Sequence, residues 1–181
     1  MTAAARLGAA SRIGRAWLAD ARRVRARAET RGAGAPWLAA AGDPSLWALT
    51  LLRSAAVLRA TVGSSLGLST ALRVGFHIDV WTDDIGGGLS LPHPFGIVVG
   101  GGVRIGEGCT LLHGVTVQHG AGAIGNGVVI ANGATVLRGA TVGDGCLVGT
   151  ASVVRGDIPP RSVAVGTPAR VLRPVREGEA G

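Results

Sequence analysis

The chain has 181 residues, 47% hydrophobic and 16% charged, which is enough for one domain with a sizeable core or a small domain with an appendage. Its net charge of +7 resides in residues 1–80, with 11 Arg and 4 acids, while residues 81–181 hold 7 of each. That charge comes with no base-reading motif or aromatic platform, and the two Cys have no ligand or disulfide spacing, so neither nucleic acid nor a metal is expected.

Residues 3–30, rich in Ala and Arg, predict a helix with a solvated Arg face. Residues 31–42 read as a connector. Asp43-Pro44 marks a helix start, with Asp as N-cap and Pro in the first turn. The helix expected over about 45–60 is apolar on most sides and should pack against something. Arg53 and Arg59 interrupt it and it is too short to span a bilayer, so no membrane insertion is expected. Gly63 to Gly67 breaks it, and a short helix precedes Gly75. No uninterrupted apolar run with a cleavage signal opens the chain, so a cytoplasmic location is expected.

From Ile85 onward the chain repeats every six residues. Aliphatic side chains recur at Ile85, Leu91, Val99, Ile105, Leu111, Val117, Ile124, Ile130, Val136, Val142, Val148 and Val154. Small or apolar residues follow each by four, among them Cys109 and Cys146, which read as buried hydrophobes. A period of six fits neither an isolated α-helix nor a hairpin. It fits a mainly β fold, a parallel β-helix whose stacked coils bury a continuous core. Of 31 Gly, 23 lie after residue 85, where a coil that turns every six residues needs tight corners. The expected organisation is a helical region (1–77), a β-helix (78–169) and a tail (170–181). Twelve hexads at three per coil predict four coils.

The period slips twice. Leu91 to Val99 takes eight residues and contains His93; Val117 to Ile124 takes seven and contains His119. Extra residues in a stack bulge outward, and bulges carry function. His93, His113, Asn132 and Thr150 each stand third in hexads one coil apart, so one column of four along a single edge is expected. A His on an outward edge suits general-base chemistry near neutral pH.

Three segments carry a family resemblance: Leu91-Pro-His-Pro-Phe-Gly-Ile-Val-Val-Gly100, His113-Gly-Val-Thr-Val117, and Ile158-Pro-Pro-Arg-Ser-Val-Ala-Val-Gly-Thr-Pro-Ala-Arg-Val-Leu172. They resemble the serine O-acetyltransferase branch of the hexapeptide-repeat acyltransferases, as does Asp43-Pro-Ser-Leu-Trp47. The resemblance implies a left-handed parallel β-helix, a homotrimer with active sites between subunits, and acetyl transfer from acetyl-CoA to a hydroxyl. It makes His93 the general base, oriented by a carboxylate. Asp79 is nominated for that role ahead of Asp83 and Asp84. Asn132 and Thr150 would line the CoA groove, and Arg155, Arg170 and Arg173 would meet its nucleotide end, where the planar guanidinium suits phosphate.

Two departures bear on the acceptor. Pro92 stands where these enzymes usually carry Asp, and the loop after Val117 is only Gln118 to Ala123. His113, His119 and Pro92 are therefore assigned to the acceptor side. L-serine, as in cysteine biosynthesis, is the first expectation and a sugar or other small alcohol the second. A trimeric zinc hydratase using His93, His113 and His119 is the alternative from another class, and a scaffold without catalysis a third. The family's complex with a cysteine synthase uses a tail typically ending in Ile. Glu177-Gly-Glu-Ala-Gly181 differs, so no such complex is expected.

Overall fold

The computed structural model describes residues 2–32 and 34–179. Ala33 of the expected connector and the last two residues of the expected tail lie outside them. Four helices come first: α1 (Ala3–Thr30), α2 (Pro36–Ala41), α3 (Pro44–Val62) and α4 (Leu68–Phe76). The connector is thus partly helical, because Pro36 supplies a first-turn φ and Gly42 ends a short run of Trp, Leu and Ala. Asp43 caps α3 as expected, its Oδ1 accepting from Ser45 N at 2.8 Å. The helix runs two residues further than expected, until Gly63 adopts a φ of 83°. The expectation that this helix is too short to span a bilayer is corrected, since at 19 residues α3 is long and apolar enough to cross one by length and composition alone. In this fold Ala48, Leu49, Leu52 and Ala55 on α3 are buried, and Trp17 of α1 donates to Thr50 at 3.0 Å.

The repeat region is a solenoid of three faces. The first coil contributes β1 (Asp79–Val80). The second gives β2 (Val98–Val99), β3 (Arg104–Ile105) and β4 (Thr110–Leu111), and the third gives β5 (Thr116–Val117), β6 (Ala123–Ile124) and β7 (Val129–Ile130). The fourth gives β8 (Thr135–Val136) and β9 (Leu147–Val148), and the fifth gives β10 (Val153–Val154) and β11 (Ser162–Gly166). The last strand, β12 (Ala169–Pro174), folds back antiparallel on β11. The faces are β1-β2-β5-β8-β10 (face A), β3-β6 with bridges to Ile85, Val142 and Ile158 (face B), and β4-β7-β9-β11 with a bridge to Ser90 (face C). Coil neighbours pair in parallel. Within each two-residue strand the second side chain points inward, so Val99, Val117, Val136 and Val154 fill the core along one face.

There are five coils, not four. The expected count began at Ile85, but β1 already pairs with β2 one face earlier. At the other end Ile158 bridges to Val142, so it occupies a face of its own only four residues after Val154. Part of the expected tail is β12. The turn at Gly166-Thr167-Pro168 reverses the chain and lets Ala169 bury.

The helices close the open end of the solenoid. In later coils an inward residue's carbonyl accepts from the preceding coil, as Ile105 O does from Gly86 N and Ile130 O from Leu112 N. The first coil has no predecessor, and buried carbonyls need a partner. Side chains replace it. Arg53 Nη1 donates to Ile85 O (2.8 Å) and Nη2 to Gly86 O (2.6 Å), while Ser45 Oγ donates to Leu91 O (2.7 Å). Arg53 is 5% exposed and pairs with the fully buried Asp20, whose Oδ1 accepts from Leu89 N at 2.8 Å. Arg23 reaches across two coils to Gly88 O and Gly108 O, both at 2.7 Å.

Candidate active site

The corner between faces C and A carries the expected column, with one shift. Gly114 N donates to Phe95 O, Gly133 N to His113 O and Ala151 N to Asn132 O. Gly96, Gly114, Gly133 and Ala151 all take positive φ, between 52° and 71°, which turns the corner at each level. The backbone equivalent of His113 one coil earlier is therefore Phe95, not His93. The two extra residues precede Phe95 and carry His93 outward on a bulge closed by Phe95 N donating to His93 O at 2.8 Å. The imidazole nevertheless stands edge-on to His113, with ring centroids 5.9 Å apart and planes at 76°. Both rings are exposed, and Pro92 is half-buried beside them. Further along, Thr150 Oγ1 donates to Asn132 Oδ1 at 3.1 Å. The column runs one level further than the spacing of the hexads indicates. Thr167 Oγ1 donates to Ala151 O at 3.2 Å, which places the β11–β12 turn on this corner. The Gly-Thr-Pro of that turn was visible, but its return to the corner was not.

His119 stands elsewhere. It occupies the corner between faces A and B, packed where Gly100 and Gly101 leave room. A single chain thus places His93 with His113 at one edge of face A and His119 at the other. Asp79 lies on the outward row of face A, in register with Val98. Among the described residues no side-chain hydrogen bond joins it to His93. Of the other two candidate acids, Asp83 is taken by an ion pair with Arg59, and the Asp84 backbone oxygen serves the second coil through Ile105 N.

The three Arg differ. Arg155 follows β10 and is exposed, and Arg170 is exposed on β12. Arg173 is engaged: Nη1 and Nη2 donate to Glu179 at 2.7 and 2.9 Å, which pulls the Glu179 carboxyl down to about 2. A cavity of about 940 Å³ is remote from this chemistry. It lies between α1, α3 and the first coils, lined by Ile13, Ala16, Arg59, Asp83 and Arg104. The His93 corner is an open ridge, able to present a base to a molecule lying along it. Among the described residues no three His, Cys, Asp or Glu converge as metal ligands.

No protein-family model matches the chain, and no curated protein does. Solved structures do. Soybean serine acetyltransferase complexed with serine is 31% identical, covering 90% of this chain and 70% of that one, with a TM-score of 0.73. Neisseria gonorrhoeae serine acetyltransferase in complex with serine is 25% identical over the same shares, also with a TM-score of 0.73. A serine acetyltransferase in complex with CoA is 26% identical, covering 88% of this chain and 69% of that one, with a TM-score of 0.69. Helical region and solenoid together match the expected left-handed β-helix.

Proposed function

Because this chain belongs to the serine acetyltransferase branch of the hexapeptide-repeat acyltransferases, we propose that it transfers the acetyl group of acetyl-CoA to the hydroxyl of L-serine. The observation that carries the reading is the likeness to a serine-bound acetyltransferase over 90% of the chain. The products are O-acetyl-L-serine and CoA, a step that supplies cysteine biosynthesis, and the setting is the cytoplasm.

His93 is the general base. An alcohol at its ordinary pKa is a poor nucleophile, and a base within about 3 Å removes its proton as attack begins. The serine oxygen bonds to the thioester carbon and forms a tetrahedral oxyanion. Collapse expels the CoA thiolate, which takes the proton back from His93. Asp79 is the carboxylate assigned to orient the imidazole. His113, edge-on to His93, and Pro92 border the acceptor. CoA lies along the corner past Asn132 and Thr150, with its phosphates toward Arg155, Arg170 and Arg173. Arg173 reaches them by exchanging Glu179 for phosphate.

The working form is a homotrimer. The outward row of face A, with Val98, Thr116, Thr135 and Val153, is uncharged beyond Asp79, which supports packing against a second copy. A neighbour's face A edge then brings its His119 to the His93 corner, completing the acceptor site between subunits. The test is product identity. Incubation with acetyl-CoA and L-serine should yield O-acetylserine by mass spectrometry. Pro92 and the short 118–123 loop favour one second reading, a sugar or small-alcohol acceptor. Acetylation of such an alcohol, with serine untouched, would replace the first reading.

A further inference from the structure

Ser45 sits where α1, α3 and the first coil meet, and it is fully buried. Arg27 of α1 donates Nη2 to Asp43 Oδ2 at 2.8 Å and to Ser45 Oγ at 2.9 Å. A hydroxyl has a single proton to give. With Arg27 occupying an acceptor position, that proton is aimed away, and Ser45 Oγ donates it to Leu91 O at 2.7 Å. The adjoining guanidinium polarises the hydroxyl and strengthens this bond.

Leu91 is the last regular residue before the bulge; Pro92 and His93 follow directly. The far end of the bulge is held the same way. Gly96 N donates to Phe76 O of α4 at 3.2 Å, and the Phe76 and Phe95 rings lie 5.9 Å apart. A two-residue insertion in the first coil has no coil before it to fix its height. Here helices fix it at both ends.

We infer that Ser45, oriented by Arg27, is a positioning residue for His93: the chain Arg27–Ser45–Leu91 sets where the imidazole leaves the solenoid corner. The kinetic consequence rests on the acetyl-transfer reading, whereas the placement of the ring does not. A role limited to satisfying a buried carbonyl, like that of Arg53 at Ile85, would change stability alone. A positioning role changes His93 itself.

The experiment uses the full chain and the variants Ser45→Ala, Arg27→Met and Arg27→Lys. Two readouts are the assigned His93 imidazole resonances and the steady-state constants with acetyl-CoA and L-serine. In Ser45→Ala and Arg27→Met the His93 signals should move. The turnover number should fall on the order of ten- to a hundredfold, as for an angstrom-scale misplacement, with the KM for acetyl-CoA little changed. Arg27→Lys keeps a cationic donor and should retain both properties. Unmoved His93 signals with unchanged turnover in both Ser45→Ala and Arg27→Met would overturn the proposal, whatever happens to the melting temperature. Equal damage in Arg27→Lys would also overturn it, since packing rather than the hydrogen bond would then be at work. If Ser45→Ala does not fold, Arg27→Met decides. A wild-type chain without acetyl transfer contradicts the proposed function, and the resonances still decide the positioning.

Discussion

At Gly100 a methyl group would stand 2.2 Å from His119 N and 2.4 Å from its Cα. No side-chain rotation relieves a clash with backbone. Gly100→Ala should therefore destabilise the fold by about 1–3 kcal/mol, in the range of overpacking, and shift the His119 resonances. Urea denaturation beside the wild type checks the first and NMR the second. Near the C-terminus Arg173 pulls the Glu179 carboxyl below its ordinary 4.5, to about 2. A lowered folded-state pKa means that the pair contributes above the unfolded value and is lost as pH falls toward about 2. Titration of the Glu179 carboxyl should show that midpoint, and in Arg173→Gln it should climb back toward 4.5. His93 and His119 were legible in the sequence because each breaks an otherwise regular count. Ser45 was not. Its partner is a carbonyl that becomes unpaired only because the stack has an end, and no local pattern marks that.

The elements show the same division between periodic and non-periodic information. The inward row was readable from spacing alone, since a stacked coil must return an aliphatic side chain to the core every six residues. The face A strand of the first coil escaped the hexad count because β1 precedes the clean hexads, and β12 escaped it because its hairpin depends on a turn rather than a period. The helix α3 was legible as a packing helix able to cover one end of the stack, but the contact that gives it this role as lid was not. That role rests on Arg53, which sits buried against Asp20 and two first-coil carbonyls. Arg53→Met should cost about 3–5 kcal/mol, because it strands the buried Asp20 charge. Adding Asp20→Asn should recover part of the loss. Chemical denaturation of both variants checks this, and equal stability of wild type and Arg53→Met would mean that the lid does not hold the first coil.

The whole molecule as proposed is an assembly, and its logic predicts a pattern of complementation. If His93 and His113 come from one subunit and His119 from its neighbour, His93→Ala and His119→Ala chains should each be impaired. Refolded together they should regain activity, since some interfaces then carry an intact set. His93→Ala refolded with His113→Ala should not, because every corner lacks one of the two rings. Sedimentation should give the mass of three chains. Recovery in both mixtures, or in neither, would contradict a site shared in this way. The family was legible from the motifs around His93 and the terminal Gly-Thr-Pro-Ala-Arg, while the separation of His119 from His93 emerged only with the five-coil register.

In the proposed reaction His93 activates the acceptor hydroxyl. The direct measurement is CoA thiol release from acetyl-CoA with L-serine, wild type beside His93→Ala. The wild type should release thiol in a serine-dependent manner, and the variant should lose about 10²–10⁴-fold of that rate, the usual share of a general base. Serine-dependent release that is unchanged in His93→Ala would contradict that role.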